Sequence, residues 1–368
     1  MKYYIIAGEA SGDLHGARLI EALRKKDTTA QIRCWGGDLM QAAGSELVMH
    51  YRELAFMGFS EVLINLSTIL RNIRFCKEDI TAFQPDLIVY IDYPGFNLRI
   101  AEWAYKKGFK NHFYISPQVW AWKANRVSKM KQNLDALYTI LPFEKAYFKE
   151  QHQYNVHYVG HPLLDSISKT KKPLHFHTEN NLDKRPIIAL LPGSRKQEVK
   201  KMLPLFLKLI PEFPKYQFVI AGTSSLGASF YENFNKNQDE IVVIGKTYEL
   251  LQSSEAAIVT SGTATLETAL FEVPQIVCYK TSSFSYWLAK KWVKLEWISL
   301  VNLIFDQEVV QELIQEECQL SSLKTHLQSI LSDSGKKKMK DKYRQLHKLL
   351  DQGGASELTA SQLVKALQ

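Results

Sequence analysis

The stretch that most restricts the fold is Ala256–Glu267: an apolar run through Thr260, the small-residue turn Ser261-Gly262-Thr263-Ala264, then Thr265-Leu266-Glu267. It reads as a buried strand, a tight turn and the start of a helix, the βα junction of an α/β fold. A helix start without bulky side chains leaves backbone N–H groups and the positive end of the dipole open to an anion such as phosphate. Glu267 would repel that anion unless it points elsewhere, for example at a pair of ribose hydroxyls. The stretch is therefore either a nucleotide site or an ordinary junction with an acid suited to the dipole. A capping box would need Ser or Thr three residues before Glu267, where Ala264 stands.

The same succession recurs along the chain. Lys2 to Ala7 is a strand that ends in Gly8-Glu9-Ala10-Ser11-Gly12-Asp13, and helical spacing of apolar residues follows from Leu14 to Lys25. That loop is neither GxGxxG nor GxxxxGK[ST], so it is neither a dinucleotide fingerprint nor a P-loop. Asp86 to Ile91 shows little alternation, as expected of a strand buried on both faces, and Asp92 stands at its C-terminal end before the turn Tyr93-Pro94-Gly95. Ligands of open α/β sheets gather at such strand ends, so Asp92 is placed for chemistry or for capping a turn. Ile187 to Leu191 leads into Pro192-Gly193-Ser194-Arg195. Ser194 and Gln197 have capping-box spacing, whereas Arg195 brings a planar fork suited to a diphosphate.

At 368 residues the chain is long for one core and comfortable for two domains. The expected division is a first domain over 1–165, a linker over 166–185 where periodicity gives way to Lys and Asn, a second domain over 186–350, and a last helical segment over 351–368. The net charge of +8 is spread over both halves. It suits a phosphorylated ligand or an anionic membrane surface as well as nucleic acid, but no RNP, zinc or helix-turn-helix signature is present. Cys34, Cys76, Cys278 and Cys318 are far apart without CxxC spacing, the pattern of a reduced cytosolic protein without structural zinc. No signal-peptide pattern and no membrane-span window is seen.

Three segments mix apolar and basic residues. Phe56, Met57, Ile69 and Leu70 belong to a region, 55–75, that is apolar over most of a helix surface, with Arg71 and Arg74 near its end. Such a helix is buried in the core or set in a bilayer interface. Trp120 and Trp122 precede a basic helix, and Trp287 and Trp292 alternate with lysines. Both patterns fit packed aromatics beside a wet basic face, or an amphiphile.

Taken in order, these strings give a resemblance along nearly the whole chain: Gly8 to Asp13, Met57-Gly58 with Glu61-Val62-Leu63, Ile91-Asp92 with Phe96-Asn97, and Ser116-Pro117 with Val119 to Trp122. They continue with Leu141 to Lys145, Gly160-His161-Pro162, Leu191 to Arg195, Ser261 to Ala264 with Glu267, and Ser299-Leu300 with Asn302-Leu303. The sequence resembles the lipid A disaccharide synthases, inverting glycosyltransferases of lipopolysaccharide assembly. It departs from them at Tyr93-Pro94-Gly95, where the family often has Ala-Pro-Asp, and at Val301, often Pro.

The resemblance implies a GT-B fold, two Rossmann-like domains with parallel sheets facing across a cleft, the last helix returning to the first domain. It implies UDP-2,3-diacylglucosamine as donor and 2,3-diacylglucosamine 1-phosphate (lipid X) as acceptor, with no cofactor and no metal, since the Asp-x-Asp pair of metal-dependent sugar transferases is absent. Another UDP-sugar enzyme of the same fold, an epimerase or the peptidoglycan transferase, is the alternative. On this reading Asp92 is the base, with Glu9 its rival. Gly193, Ser194, Arg195, Ser261, Gly262 and Thr263 hold the diphosphate, Glu267 the ribose, and Asn302 a polar group of the donor. Ser11, Gly12, Asp13, Asn97, Trp120 and Trp122 line the acceptor side. Phe56, Met57, Ile69, Leu70, Trp287 and Trp292 meet an anionic membrane surface, the cytoplasmic face of the inner membrane. Self-association is left open.

Overall fold

The computed structural model describes residues 1–54, 66–234, 241–282 and 295–368. The chain forms two compact units, Met1–Asp165 with Leu350–Gln368, and Ser166–Leu349.

The first unit is a parallel seven-stranded sheet in the order β3-β2-β1-β4-β5-β6-β7. Its strands are β1 Lys2–Ala7, β2 Gln31–Gly36, β3 Glu46–His50, β4 Leu87–Ile91, β5 Asn111–Tyr114, β6 Ala136–Thr139 and β7 His157–Tyr158. All five residues of β4 are buried, which is why its sequence shows no alternation. In register, Ile91 lies beside Ala7 of β1 and Tyr114 of β5. The strand order reverses between β1 and β4. The loops after these two strands therefore flank the crevice that a doubly wound sheet offers a ligand.

The second unit repeats the plan with six parallel strands in the order β10-β9-β8-β11-β12-β13. These are β8 Ile187–Leu191, β9 Gln217–Gly222, β10 Ile241–Ile244, β11 Ser254–Thr260, β12 Gln275–Tyr279 and β13 Gln311–Ile314. Here the reversal falls between β8 and β11, so Gly193 to Arg195 and Ser261 to Thr263 flank the crevice.

The helix Ala355–Lys365 packs on the first unit against the helix Ala10–Lys26. Asp165 accepts from the N–H groups of Ala355 (3.2 Å) and Ser356 (2.8 Å) at its N-terminus, and Glu357 pairs with Lys25 at 2.9 Å. Residues 166–185, read above as a linker, are integrated into the second unit. Phe176 is buried in its core beside Ile187, Leu191 and Val219, and Gln217 of β9 bonds Asp183 in both directions. A single buried aromatic among lysines and asparagines is easily missed in a sequence.

Candidate active site

In the first unit the chemistry-bearing side chains follow β1 and β4. Glu9 is the extended residue that starts the helix Ala10–Lys26. Asp92 and Tyr93 are consecutive left-handed residues, with φ of 46° and 48°. Such backbone costs about 1–3 kcal/mol per residue and persists only where the surroundings enforce it. The enforcing contacts are identifiable. The Asn97 side-chain amide donates to the Asp92 carbonyl at 2.7 Å, the Tyr93 hydroxyl donates to the Leu54 carbonyl at 3.1 Å, and the Tyr93 ring lies on Gly8. A Cβ at position 8 would sit 2.3 Å from that ring, so glycine there is a packing requirement.

Burial raises the Asp92 pKa to about 6, the neighbouring Glu9 carboxylate adds to the rise, and the Tyr93 backbone N–H bond opposes it. A carboxylate raised this far is still mostly ionised at neutral pH and is a stronger base than an ordinary aspartate.

Three acceptor-side expectations change. Asp13 is buried, and its carboxylate accepts from the N–H groups of Gly37, Leu39 and Met40 at 2.8, 3.2 and 3.0 Å. It fastens the loop after β2 and does not line an acceptor surface. Asn97 is fully buried and acts through the Asp92 backbone. Trp120 donates its indole N–H to Glu144 at 3.2 Å and packs edge-on against Phe143, a structural role, while burial pushes the Glu144 carboxyl up to about 7. Gly12 is buried against Ala7, whereas Ser11, in the first turn of the helix, is exposed and Trp122 is exposed on the surface.

In the second unit Gly193, Ser194, Arg195, Ser261, Gly262, Thr263 and Glu267 line one pocket of about 350 Å³, together with Glu198, Thr223 and Thr247. The pocket sits at the β8/β11 reversal. Gly193 has φ 108°, conformation that an L side chain avoids, and a Cβ there would fall 2.6 Å from the Glu198 carboxylate. That carboxylate accepts from the backbone N–H groups of Ser194 (3.1 Å) and Arg195 (3.2 Å) and from the Arg195 guanidinium (2.9 Å). The capping arrangement expected on Ser194 and Gln197 is thus built one residue later, because the helix begins at Lys196 and places Glu198 in its first turn.

On the opposite wall the helix Thr263–Leu270 starts after Gly262, where a Cβ would meet open space. Glu267 accepts from the Tyr248 hydroxyl at 2.9 Å; burial raises its carboxyl and the Tyr248 bond opposes the rise. Ser261 donates to the Ile298 carbonyl at 3.1 Å. Asn302 is fully buried and saturated, donating to Val310 O and Glu312 and accepting from the N–H groups of Val309 and Val310 at 2.8 to 2.9 Å. It cannot offer a polar group to a donor. It holds Glu312, which in turn accepts from Ile298 N, the residue whose carbonyl receives Ser261. Glu198, Tyr248 and Glu312 were missed in the sequence. Only Glu198, three residues beyond Arg195 at a helix start, carried a spacing signal.

Phe56, Met57, Trp287 and Trp292 lie outside the described residues. On the helix Leu66–Phe83, Ile69 packs on the core of the first unit, while Leu70 is 54% and Phe75 41% exposed. Among the described residues no helix is long and apolar enough to cross a membrane, and no group of His, Cys, Asp and Glu is arranged to hold a metal ion.

Comparison with known proteins agrees with the fold. The sequence model of one family, described as lipid-A-disaccharide synthetase, matches residues 3–366. The lipid-A-disaccharide synthase of Geobacter metallireducens is 35% identical over 371 residues, covering 99% of this chain and 96% of that protein. The enzyme of the same name from Chromohalobacter salexigens is 36% identical over 370 residues, covering 98% and 95%. Among solved structures, the UDP-GlcNAc 2-epimerase of Neisseria meningitidis bound to UDP-GlcNAc superposes with a TM-score of 0.70 at 12% identity, covering 99% of this chain and all of that one. A calicheamicin glycosyltransferase superposes with a TM-score of 0.60 at 15% identity, covering 100% and 97%. These two likenesses establish the GT-B type of fold, and the full-length sequence match is narrower than any fold: the chain belongs to the lipid-A-disaccharide synthetase family.

Proposed function

We propose that the protein joins two acylated glucosamines, transferring 2,3-diacylglucosamine from its UDP ester to the 6-hydroxyl of 2,3-diacylglucosamine 1-phosphate. The products are the β-1,6-linked disaccharide 1-phosphate and UDP. The observation that carries this reading is Asp92, a carboxylate of raised basicity at the strand reversal of the first unit, in a chain that this family's model matches over residues 3–366.

Inversion at the donor anomeric carbon needs a base on the attacking hydroxyl and stabilisation of the departing diphosphate. Asp92 takes the hydroxyl proton as the new C–O bond forms and the bond to UDP breaks. The negative charge that collects on the diphosphate falls to the Arg195 guanidinium and to the N–H groups of Gly262 and Thr263. Glu267, on the same pocket wall as those N–H groups and held by Tyr248, takes the ribose hydroxyls. The test is incubation with both lipids in excess EDTA, followed by mass spectrometry. The acylated disaccharide 1-phosphate is expected, and its absence while magnesium restores it would remove the metal-free part of the mechanism.

Both substrates are lipids, which gives the exposed Leu70 and Phe75, with Arg71 and Arg74 between them, a role at the anionic cytoplasmic surface of the inner membrane. Leu70→Asp removes an apolar contact worth about 1.5–3 kcal/mol when buried and adds a repelled charge. Flotation with anionic vesicles should therefore fall about tenfold or more, with transfer to substrates in detergent kept. Unchanged flotation would remove this helix from the membrane contact.

A further inference from the structure

A groove of about 360 Å³ runs between the helices Pro94–Lys106 and Arg126–Asn133 of the first unit. Its floor is apolar, with Leu98, Ala101, Met130 and Leu134. Its rim carries Arg99, Arg126 and Lys129 against a single carboxylate, Glu102, which is shared between Lys106 (3.0 Å) and Lys129 (3.5 Å). Next to the rim, Trp122 is 51% exposed, with Lys123 Nζ 4.1 Å and the Arg126 guanidinium 5.8 Å from its ring centroid. Neither Lys123 nor Arg126 has a carboxylate partner among the described residues. Two cations are thus held close together over one ring with no anion between them. Consistently, burial and the nearby Arg126 charge lower the Lys123 pKa, and burial lowers that of Arg126.

The lining of the groove extends to Pro94 and Gly95, directly after Asp92-Tyr93, and a Cβ at Gly95 would meet open space. At 3.8 Å between consecutive Cα atoms, Pro94 lies within ~8 Å of Asp92. An acceptor whose hydroxyl meets Asp92 can therefore direct another substituent of its ring toward this end of the groove. An apolar floor with a cationic rim fits a ligand with both an acyl chain and a phosphate. A phosphate monoester, carrying about 1.5 to 2 negative charges at neutral pH, suits this rim better than the single charge of a bilayer phosphodiester.

We infer that Arg99 and Arg126, with Lys123 beside them, bind the phosphate monoester of the acceptor, and that the groove floor takes part of an acyl chain. The inference rests on the acceptor named in the proposed reaction, and it makes these residues determinants of acceptor specificity without placing them at the reacting atoms.

The test uses the intact protein in detergent with two lipids, 2,3-diacylglucosamine 1-phosphate and the same lipid without phosphate, read by titration calorimetry and by transfer. The wild type should bind the phosphorylated lipid at least about tenfold tighter, because charge-assisted bonds to phosphate are strong. The double variant Arg99→Gln with Arg126→Gln should bind the two lipids equally, with the acceptor KM raised about tenfold or more and UDP affinity unchanged. Arg126→Lys, which keeps the charge, should recover part of the preference. A phosphate preference that survives in the double variant overturns the site. So does a loss confined to anionic vesicles with the acceptor KM unmoved, since the cations would then serve a membrane surface. If no disaccharide forms but the phosphate preference is present and lost in the variant, the site stands and the reaction falls. If disaccharide forms with no phosphate preference in binding, the reaction stands and the site falls.

Discussion

Asp92→Asn should leave a folded protein that binds UDP normally and transfers sugar about 10²–10⁴-fold more slowly, the span expected when a general base is removed. The wild-type kcat/KM should rise with pH along a limb centred near the Asp92 pKa of about 6, and that limb should be missing from the residual rate of the variant. Stability moves the other way. The folded pKa lies above the ordinary value of 3.8, so folding binds this proton more tightly than the unfolded chain does, and stability from this group falls as pH rises from about 4 through 6. Above that window the ionised carboxylate costs up to about 3 kcal/mol, which the neutral amide avoids. The variant should therefore melt several degrees higher than the wild type at pH 8, with the advantage gone at pH 4. A slow, UDP-binding, stabilised protein is a combination that disruption of the site cannot produce. Near-normal turnover would transfer the base to Glu9.

How much of this was legible in the sequence depends on where each residue faces. The runs at β1, β4, β8 and β11 were readable because central strands of a parallel sheet are buried on both faces, which removes polar residues from the string. The edge strands β3 and β13 were not: β3 pairs on one side only and keeps the exposed Glu46, while β13 carries Glu312, a buried carboxylate that accepts from the backbone N–H groups of Ile298 and Ser299. The loops of the site were readable for the same reason as the central strands they follow. Polar residues were harder. Asp13, Asn97 and Asn302 look in the sequence like ligand contacts, yet each turns inward and bonds backbone. A carboxylate or amide facing a substrate and one facing a buried N–H are the same letter, and only the fold separates them. Glu267 shows the opposite case. It lies beyond the first turn of its helix, so an interaction with the dipole does not account for it, and the pocket wall is where it stands.

Arg195→Gln should cost about 10²–10³ in turnover and about tenfold in UDP affinity, because it removes a charged donor aimed at charge that develops on the leaving diphosphate. The geometry makes this residue hard to replace. The left-handed Gly193 lets the chain turn sharply after β8, Glu198 fixes the next two N–H groups, and the same carboxylate bonds the guanidinium at 2.9 Å on the rim of the pocket. One Glu198 oxygen thus orients the loop while the other orients the fork. Arg195→Lys keeps the charge without the fork, and it should recover UDP affinity better than turnover, since a point charge holds a ground-state diphosphate but matches the transition state less well. If both variants kept wild-type turnover, the leaving group would rest on the N–H groups of Gly262 and Thr263 alone. The helix dipole would then carry the whole stabilisation, a load beyond the ~2 kcal/mol that a helix terminus supplies in favourable geometry.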